Sequence, residues 1–251
     1  MIGFSKPRAP QDFFRSLRTK AGQFAFNNVI YNWSLGGSVP HGFITTLSDL
    51  WPGDTDRGRW LCGGAFAVDG ETLSLHGDCW EPAGVGPHWL RHMHGFDWLR
   101  DLKALGGDQS RLQARDMILS WIHRYSLCQP SVWRADYTGR RLANWIALYD
   151  FFGESADEAF QERFFVSLIR QARHLSRAVP GTAPGLPAFY AIKGLAYAGI
   201  ALQGRESWLE QALDLLEQET EKQILPDGGH ISRNPETLCA ALQIFIDIRT
   251  A

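Results

Sequence analysis

Apolar positions recur at helical spacing through most of this chain. Phe13, Phe14, Leu17, Ala21, Phe24 and Ala25 step by three or four residues within Gln11 to Trp33, which predicts an amphipathic helix with Arg15, Arg18 and Lys20 between the apolar positions. Such a helix suits packing on a domain, and its basic residues also suit a membrane surface. Pro40, Pro52 and Gly53 then interrupt the pattern. From Phe66 the period changes to two. Phe66 and Val68 alternate with small residues, Asp69-Gly70 supplies a two-residue turn, and Leu73 and Leu75 alternate on the return, so a β-hairpin is predicted.

Beyond Pro87 the pattern is helical nearly to the end. His88 to Leu105 reads as one helix stopped by Gly106-Gly107, and Asp108 is placed to cap the next, which runs to about Tyr125. Further helices are predicted from Thr138 to Phe152, from a Ser155 cap through Leu175, from Ala188 to Leu202, from Ser207 to Ile224 and from Pro235 to Arg249. Alternate helices begin at 88, 138, 188 and 235, a helical-hairpin period of about 50 residues. One hairpin cannot bury both its faces, so hairpins must stack, either as an open solenoid or as a closed α/α toroid, and the period does not choose between them. The expected organisation is an N-terminal lead over 1–86, with helix and hairpin packed on helical hairpins over 87–251. The expected class is all-α.

Composition changes this picture little. Of 251 residues, 45% are hydrophobic and 21% charged, with a formal charge of −2, so no global positive field points to nucleic acid. An acidic glycan would need a local cluster of Arg, His and Lys. Ten Trp residues serve either a core or a cleft wall on which sugars stack. The N-terminus shows no secretory pattern, and no stretch approaches the ~20 apolar residues of a membrane span, so a cytoplasmic location is expected of the chain as written. Cys62, Cys79, Cys128 and Cys239 form no CxxC and read as four buried small hydrophobes.

Four local motifs stand out. They are Trp51-Pro-Gly-Asp54, the Leu90-Arg-His-Met-His94-Gly-Phe96-Asp97-Trp-Leu99 helix, the Trp133…Tyr137…Arg141…Asn144-Trp145-Ile146 segment, and Asp227-Gly-Gly-His230 followed by Arg233-Asn234-Pro235. They resemble motifs of the heparinase II/III polysaccharide lyases and fall in that family's order over about residues 51–250. The resemblance implies the N-terminal (α/α) toroid, here incomplete, with an acidic, uronate-containing polysaccharide on its concave face and a lyase reaction. In that reaction a base removes the proton alpha to a uronate carboxylate. A neutral amide or imidazole stabilises the developing charge, and an acid, usually Tyr, protonates the departing oxygen.

The match has gaps. Leu186-Pro187 stands where the family carries an Asn-His pair, and Glu236-Thr237-Leu238 follows Pro235 where the family has Met-Tyr-His. Active lyases of this family add a C-terminal β-sandwich with a His and often a metal, and this sequence ends where that domain would begin. A substrate-binding part of the enzyme is therefore expected, with no cofactor in this chain and a periplasmic location as the family-based alternative. A non-catalytic glycan-binding scaffold and an α/α-toroid glycoside hydrolase are the rivals. The hydrolase would draw on Asp97, Asp101, Asp136, Asp150 and Asp227, of which no two are marked as a pair.

Several side chains are candidates for the site. Arg141, Asn144 and Trp145 offer a cation, an amide and a ring, unless Arg141 merely pairs with Asp136 or Asp150. Trp133 and Tyr137 would wall the cleft or fill the core. His230 after Gly-Gly would carry a proton or neutralise a carboxylate, or simply bond the turn, with Arg233 as its cationic neighbour. Tyr190, sharing a helix face with Lys193, would replace the missing Tyr as acid, or pack in the core. His88, His92 and His94 look metal-like, but no HExxH or third ligand accompanies them.

Overall fold

The computed structural model describes residues 29–68, 71–74, 79–82 and 84–251. The described elements run α1 (Val29–Ser34), α2 (Thr55–Cys62), β1 (Ala65–Val68), β2 (Glu71–Ser74), α3 (Pro87–Gly95), α4 (Leu99–Leu105), α5 (Gly107–Arg124), α6 (Ala135–Ala147), α7 (Tyr149–Phe152), α8 (Glu158–Ala178), a 3₁₀ turn (Val179–Gly181), α9 (Leu186–Ala201), α10 (Glu206–Gln223) and α11 (Pro235–Thr250). The architecture is the expected all-α one, an incomplete (α/α) toroid with one two-stranded antiparallel sheet. Phe66 pairs with Leu73 and Val68 with Glu71. The expected Asp69-Gly70 turn and Leu75 lie outside the described residues, as do residues 11–28 of the first predicted helix.

The helices that open successive pairs, α3, α6, α9 and α11, begin at 87, 135, 186 and 235, which is the sequence period. They form the inner layer, while α5, α8 and α10 lie outside. The layering follows from composition. Helix α9 (LPAFYAIKGLAYAGIA) is apolar nearly all round and buried from Ala191 to Gly199, as a helix covered on both sides must be. Helix α10 buries only Ala212 and Glu219 and turns its acidic face to solvent.

Helices α6 and α9 cross where Gly139 meets Gly194. A Cβ on Gly139 would collide with the Tyr190 carbonyl, and one on Gly194 with the Gly139 backbone. Only glycine at both positions permits this approach. Its effect is to set Arg140 and Asn144 opposite Tyr190 and Lys193.

Four expectations on elements are corrected. The single helix expected from Thr138 to Phe152 starts at Ala135 and is interrupted at Leu148, giving α6 and α7. The single helix expected from His88 to Leu105 is broken at Phe96, which adopts a left-handed conformation (φ 60°). That conformation is costly for a bulky residue, and here Phe96 is fully buried among Trp80, Trp98, Trp121 and Trp145. Asp108 is not a cap, because α5 starts at Gly107 behind Gly106 (φ 69°), with Asp108 already in its first turn. Ser155 is not a cap either. Asp157 takes that role by accepting from the Phe160 amide at 2.7 Å, and the Ser155 hydroxyl accepts from Arg115. Of the four cysteines only Cys128 is buried, and Cys239 is exposed.

Residues 31–44 of the lead contact the toroid helices. The Ile44 amide donates to the Ala201 carbonyl at 2.9 Å, and Phe43 packs edge-on to Tyr149 and Phe165. Arg170, Arg173 and Arg177 of α8 reach the carbonyls of Asn32, Leu35 and Ser34 at the C-terminal end of α1, where cations are favourable, and Arg173 also reaches the Ser38 carbonyl beyond it. Beneath them His174 donates from Nε2 to the Trp133 carbonyl at 2.7 Å, and its Nδ1 accepts from the Tyr31 hydroxyl at 2.8 Å. A carbonyl can only accept, so Nε2 carries a proton, and with the pKa lowered the neutral ring leaves Nδ1 free to accept. Burial pushes its pKa down to about 4, against the pull of the Trp133 carbonyl.

Two predictions follow from this packing. Gly139→Ala or Gly194→Ala should cost about 3 kcal/mol in urea unfolding, whereas Gly42→Ala, whose Cβ meets nothing within 4 Å, should stay within about 0.5 kcal/mol. A depressed His pKa means the unfolded chain binds the proton first. The His174 contribution is therefore whole above its ordinary value of 6.5 and falls away towards about 4. Stability should drop across that window by on the order of 3 kcal/mol, and His174→Gln should flatten the drop.

Candidate functional site

A cleft of about 530 Å³ opens on the inner layer. Among its lining residues are Trp51, Asp97, Arg100, Arg140, Asn144, Tyr190, Lys193, Gln243 and Asp247. Each comes from a position the fold fixes. Trp51 leads into the Pro52-Gly53 turn, where a Cβ on Gly53 would strike the Arg100 carbonyl. Asp54 then caps α2, accepting from the amides of Asp56 and Arg57, and its own amide donates to Asp101 at 2.8 Å. The Trp51 indole donates to Asp247 on α11 at 2.8 Å, and Lys193 donates to the other oxygen of that carboxylate at 2.6 Å. Asp247 thus ties the lead, α9 and α11 together.

On the opposite wall Asp97 accepts from Arg140 at 2.6 Å and from the Asn144 amide at 2.9 Å, with His92 at 3.7 Å. Asn144 also donates to the Gly95 carbonyl at 2.9 Å. The Arg140 guanidinium lies 3.5 Å from the centre of the Tyr190 ring, a close cation–π contact. Its stem runs over Gly95, where a Cβ would press on the Arg140 methylenes. Arg100 is paired with Asp49.

These pairings set the charge states. Burial alone would raise the Asp97 carboxyl, but Arg140, then His92 and Arg100, outweigh it and hold the pKa at about 2. Asp97 is therefore a permanent anion and too weak a base for ordinary proton abstraction. Burial lowers the Lys193 ammonium, against its pairing with Asp247. Burial also raises the Tyr190 hydroxyl, with Arg140 opposing, so Tyr190 keeps its proton at neutral pH.

The sequence candidates are scattered. Asn144 and Tyr190 line the cleft. Arg141 is fully buried and faces the other way, donating to Gln171, to the His94 carbonyl at 2.7 Å and to Thr138 at 3.2 Å, over the Trp121 ring. It pairs with neither Asp136, which takes Arg134, nor Asp150, which takes Lys103. Trp145 is fully buried against Phe96, Trp121 and Phe164. Trp133 packs on His174 and donates to the Tyr125 carbonyl. Tyr137 is buried over His94, with its hydroxyl near the Pro87 carbonyl. These four side chains are core.

His230 is not a lining residue of the cleft. It is buried in the turn before α11, its Nδ1 engaged by Ser232. Arg233 is exposed and paired with Asp227 at 2.6 Å. His94 accepts from the Trp121 indole at 3.2 Å inside the core. Among the described residues no group of three or more His, Cys, Asp or Glu is placed to hold a metal. Arg140, Trp51, Lys193 and Asp247 were not singled out as the cleft's anchors. The available signal was the Gly139/Gly194 pair, which marks the helix faces in closest approach.

An inner wall of repeated helices around a polar cleft is the architecture of an α/α toroid. The heparinase II/III N-terminus family matches residues 117–251, and the chain belongs to that family. It is 29% identical over 213 residues to the FtsZ-localized protein C of Caulobacter vibrioides (strain NA1000 / CB15N), a match covering 84% of this chain and 36% of that protein. Among solved structures it superposes on the heparan sulfate lyase HepC from Pedobacter heparinus with a TM-score of 0.62 at 18% identity, covering 94% of this chain and 38% of that one. It superposes on heparinase III with a TM-score of 0.65 at 16% identity, covering 95% and 41%. The chain thus spans well under half the length of these relatives. No helix among the described residues is long and apolar enough to cross a membrane.

With all three nitrogens of its guanidinium engaged inside the protein, Arg141→Lys should lower stability by about 3 kcal/mol and leave ligand affinity of the folded fraction unchanged. Urea unfolding beside a binding titration checks both.

Proposed function

We propose that the cleft binds a uronate-containing oligosaccharide and that this chain supplies the substrate-binding part of a β-eliminating polysaccharide lyase. The observation that carries this reading is the makeup of the cleft in a chain of this family. Two aromatic side chains (Trp51, Tyr190), two amides (Asn144, Gln243) and two arginines (Arg100, Arg140) line the cleft. Flat rings suit the apolar faces of sugars, amides suit hydroxyls, and guanidinium groups suit carboxylates. The solved neighbours named as lyases act on heparan sulfate.

The reaction class sets what the residues must do. Tyr190, protonated in the cleft, is the group suited to deliver a proton to the departing glycosidic oxygen. A base must take the proton alpha to the carboxylate. Asp97 is too acidic and Lys193 is engaged by Asp247, so the cleft residues supply binding and an acid but no ready base. We assign the base to a further domain, in keeping with the C-terminal β-sandwich of the family's active lyases.

The relative named for its FtsZ localisation favours a second reading, a non-catalytic glycan-binding toroid that works where FtsZ is found. A fluorescent fusion that overlays FtsZ would support it, and a diffuse one would remove it. Both readings share the binding step.

Calorimetric titration with glucuronate-containing oligosaccharides should show saturable binding by this chain. Ultraviolet absorbance from an unsaturated product should grow only with a form carrying the further domain, and there Tyr190→Phe should slow it by about 100-fold or more. New reducing ends without that absorbance would mean a hydrolase. Absence of binding to any uronate oligosaccharide would overturn the glycan reading.

A further inference from the structure

The three cations of the cleft differ in how fully the protein uses them. Arg100 is held by both oxygens of Asp49. Lys193 is held by Asp247, whose second oxygen is taken by Trp51. Arg140 gives only Nη1 to Asp97. Its Nε is buried with no acceptor among the described residues, and its only hydrogen bond among them is the one from Nη1, which leaves Nη2 unused there. A buried guanidinium with idle donors is costly unless something completes it. The group is also rigid. Its stem is pressed over Gly95, its Cζ sits 3.5 Å from the centre of the Tyr190 ring, and Asp97 fixes one edge. A preorganised planar fork with donors left over matches a carboxylate or sulfate.

We infer that Arg140 is the anion receptor of this cleft, taking the ligand's carboxylate or sulfate on the donors Asp97 leaves free. Asp97 then acts as its built-in counter-ion and sets how strongly the cleft prefers charged over neutral sugars. The class of ligand rests on the glycan reading above, while the receptor itself rests on Arg140's unused donors. Asp97 and the bound anion share one cation, so they repel each other. Asp97 keeps Arg140 aimed and solvated when the cleft is empty, and it weakens the hold on any anion that arrives. Asn144, bonded to the same carboxylate at 2.9 Å and to the Gly95 carbonyl, positions Asp97 without contributing charge.

The test compares a glucuronate-containing hexasaccharide with its carboxyl-reduced neutral counterpart. Arg140→Lys keeps the charge and loses the fork, and should weaken the acidic ligand about 10-fold or more while barely moving the neutral one. Asp97→Asn keeps a hydrogen-bond acceptor and removes the competing anion, and should tighten the acidic ligand several-fold with no gain for the neutral one. A role confined to folding would move both ligands together. In parallel, the Arg140 Nε–H resonance is followed in the full chain as inorganic sulfate and free glucuronate are added. A saturable shift with no hexasaccharide binding would keep the receptor and remove the glycan reading. Hexasaccharide binding with an unchanged acidic-to-neutral preference in both variants would overturn the receptor and keep the glycan reading. No shift and no binding would overturn both.

Discussion

The close crossing of α6 and α9 at Gly139 and Gly194 is the contact on which the rest of the inner layer depends. Two helix backbones approach so nearly there that neither position admits a Cβ. The crossing fixes the rotation of both helices, and rotation decides which residue of each faces the cleft. Arg140 and Tyr190 meet ring to guanidinium, and Lys193 reaches across to α11. The aromatic cluster around Phe96 then fills the space on the far side of α6. The cleft on one face and the core on the other are two results of one approach.

Much of the fold was legible in the sequence, because helical period and breakers are local signals. The starts at 87, 135, 186 and 235 follow from Pro and Gly punctuation that acts within a few residues. The misplaced ends share one cause. Asp108 and Ser155 have the right chemistry for caps, but Gly106 and Asp157 were better placed once tertiary packing set where each helix began. The break at Phe96 was not legible, since a left-handed phenylalanine is tolerated only because four Trp rings enclose it.

The site was less legible, and the reason is angular. Arg140 and Arg141 are adjacent, so their side chains leave the helix about 100° apart. A motif match marks a residue type and a spacing, not the direction in which the chain turns it. Arg141 carries the resemblance and lies in the core, where its donors hold Gln171, His94 and Thr138 in place. Asn144 carries the resemblance too and reaches the cleft, because it stands one helical turn from Arg140. Motif residues in this family member thus serve the scaffold and the site in turn.

Each cation in the cleft stands beside a carboxylate, Arg100 by Asp49, Arg140 by Asp97 and Lys193 by Asp247, in a chain of formal charge −2. Paired charges cancel within a few ångströms, so the cleft projects little field into solvent. An acidic polymer approaching it is not drawn from a distance, as it would be by a basic groove. Under the proposed glycan reading, capture would then depend on random encounter followed by short-range fit. Association would proceed at the rate of an unsteered collision, and selectivity would reside in how long a bound ligand stays.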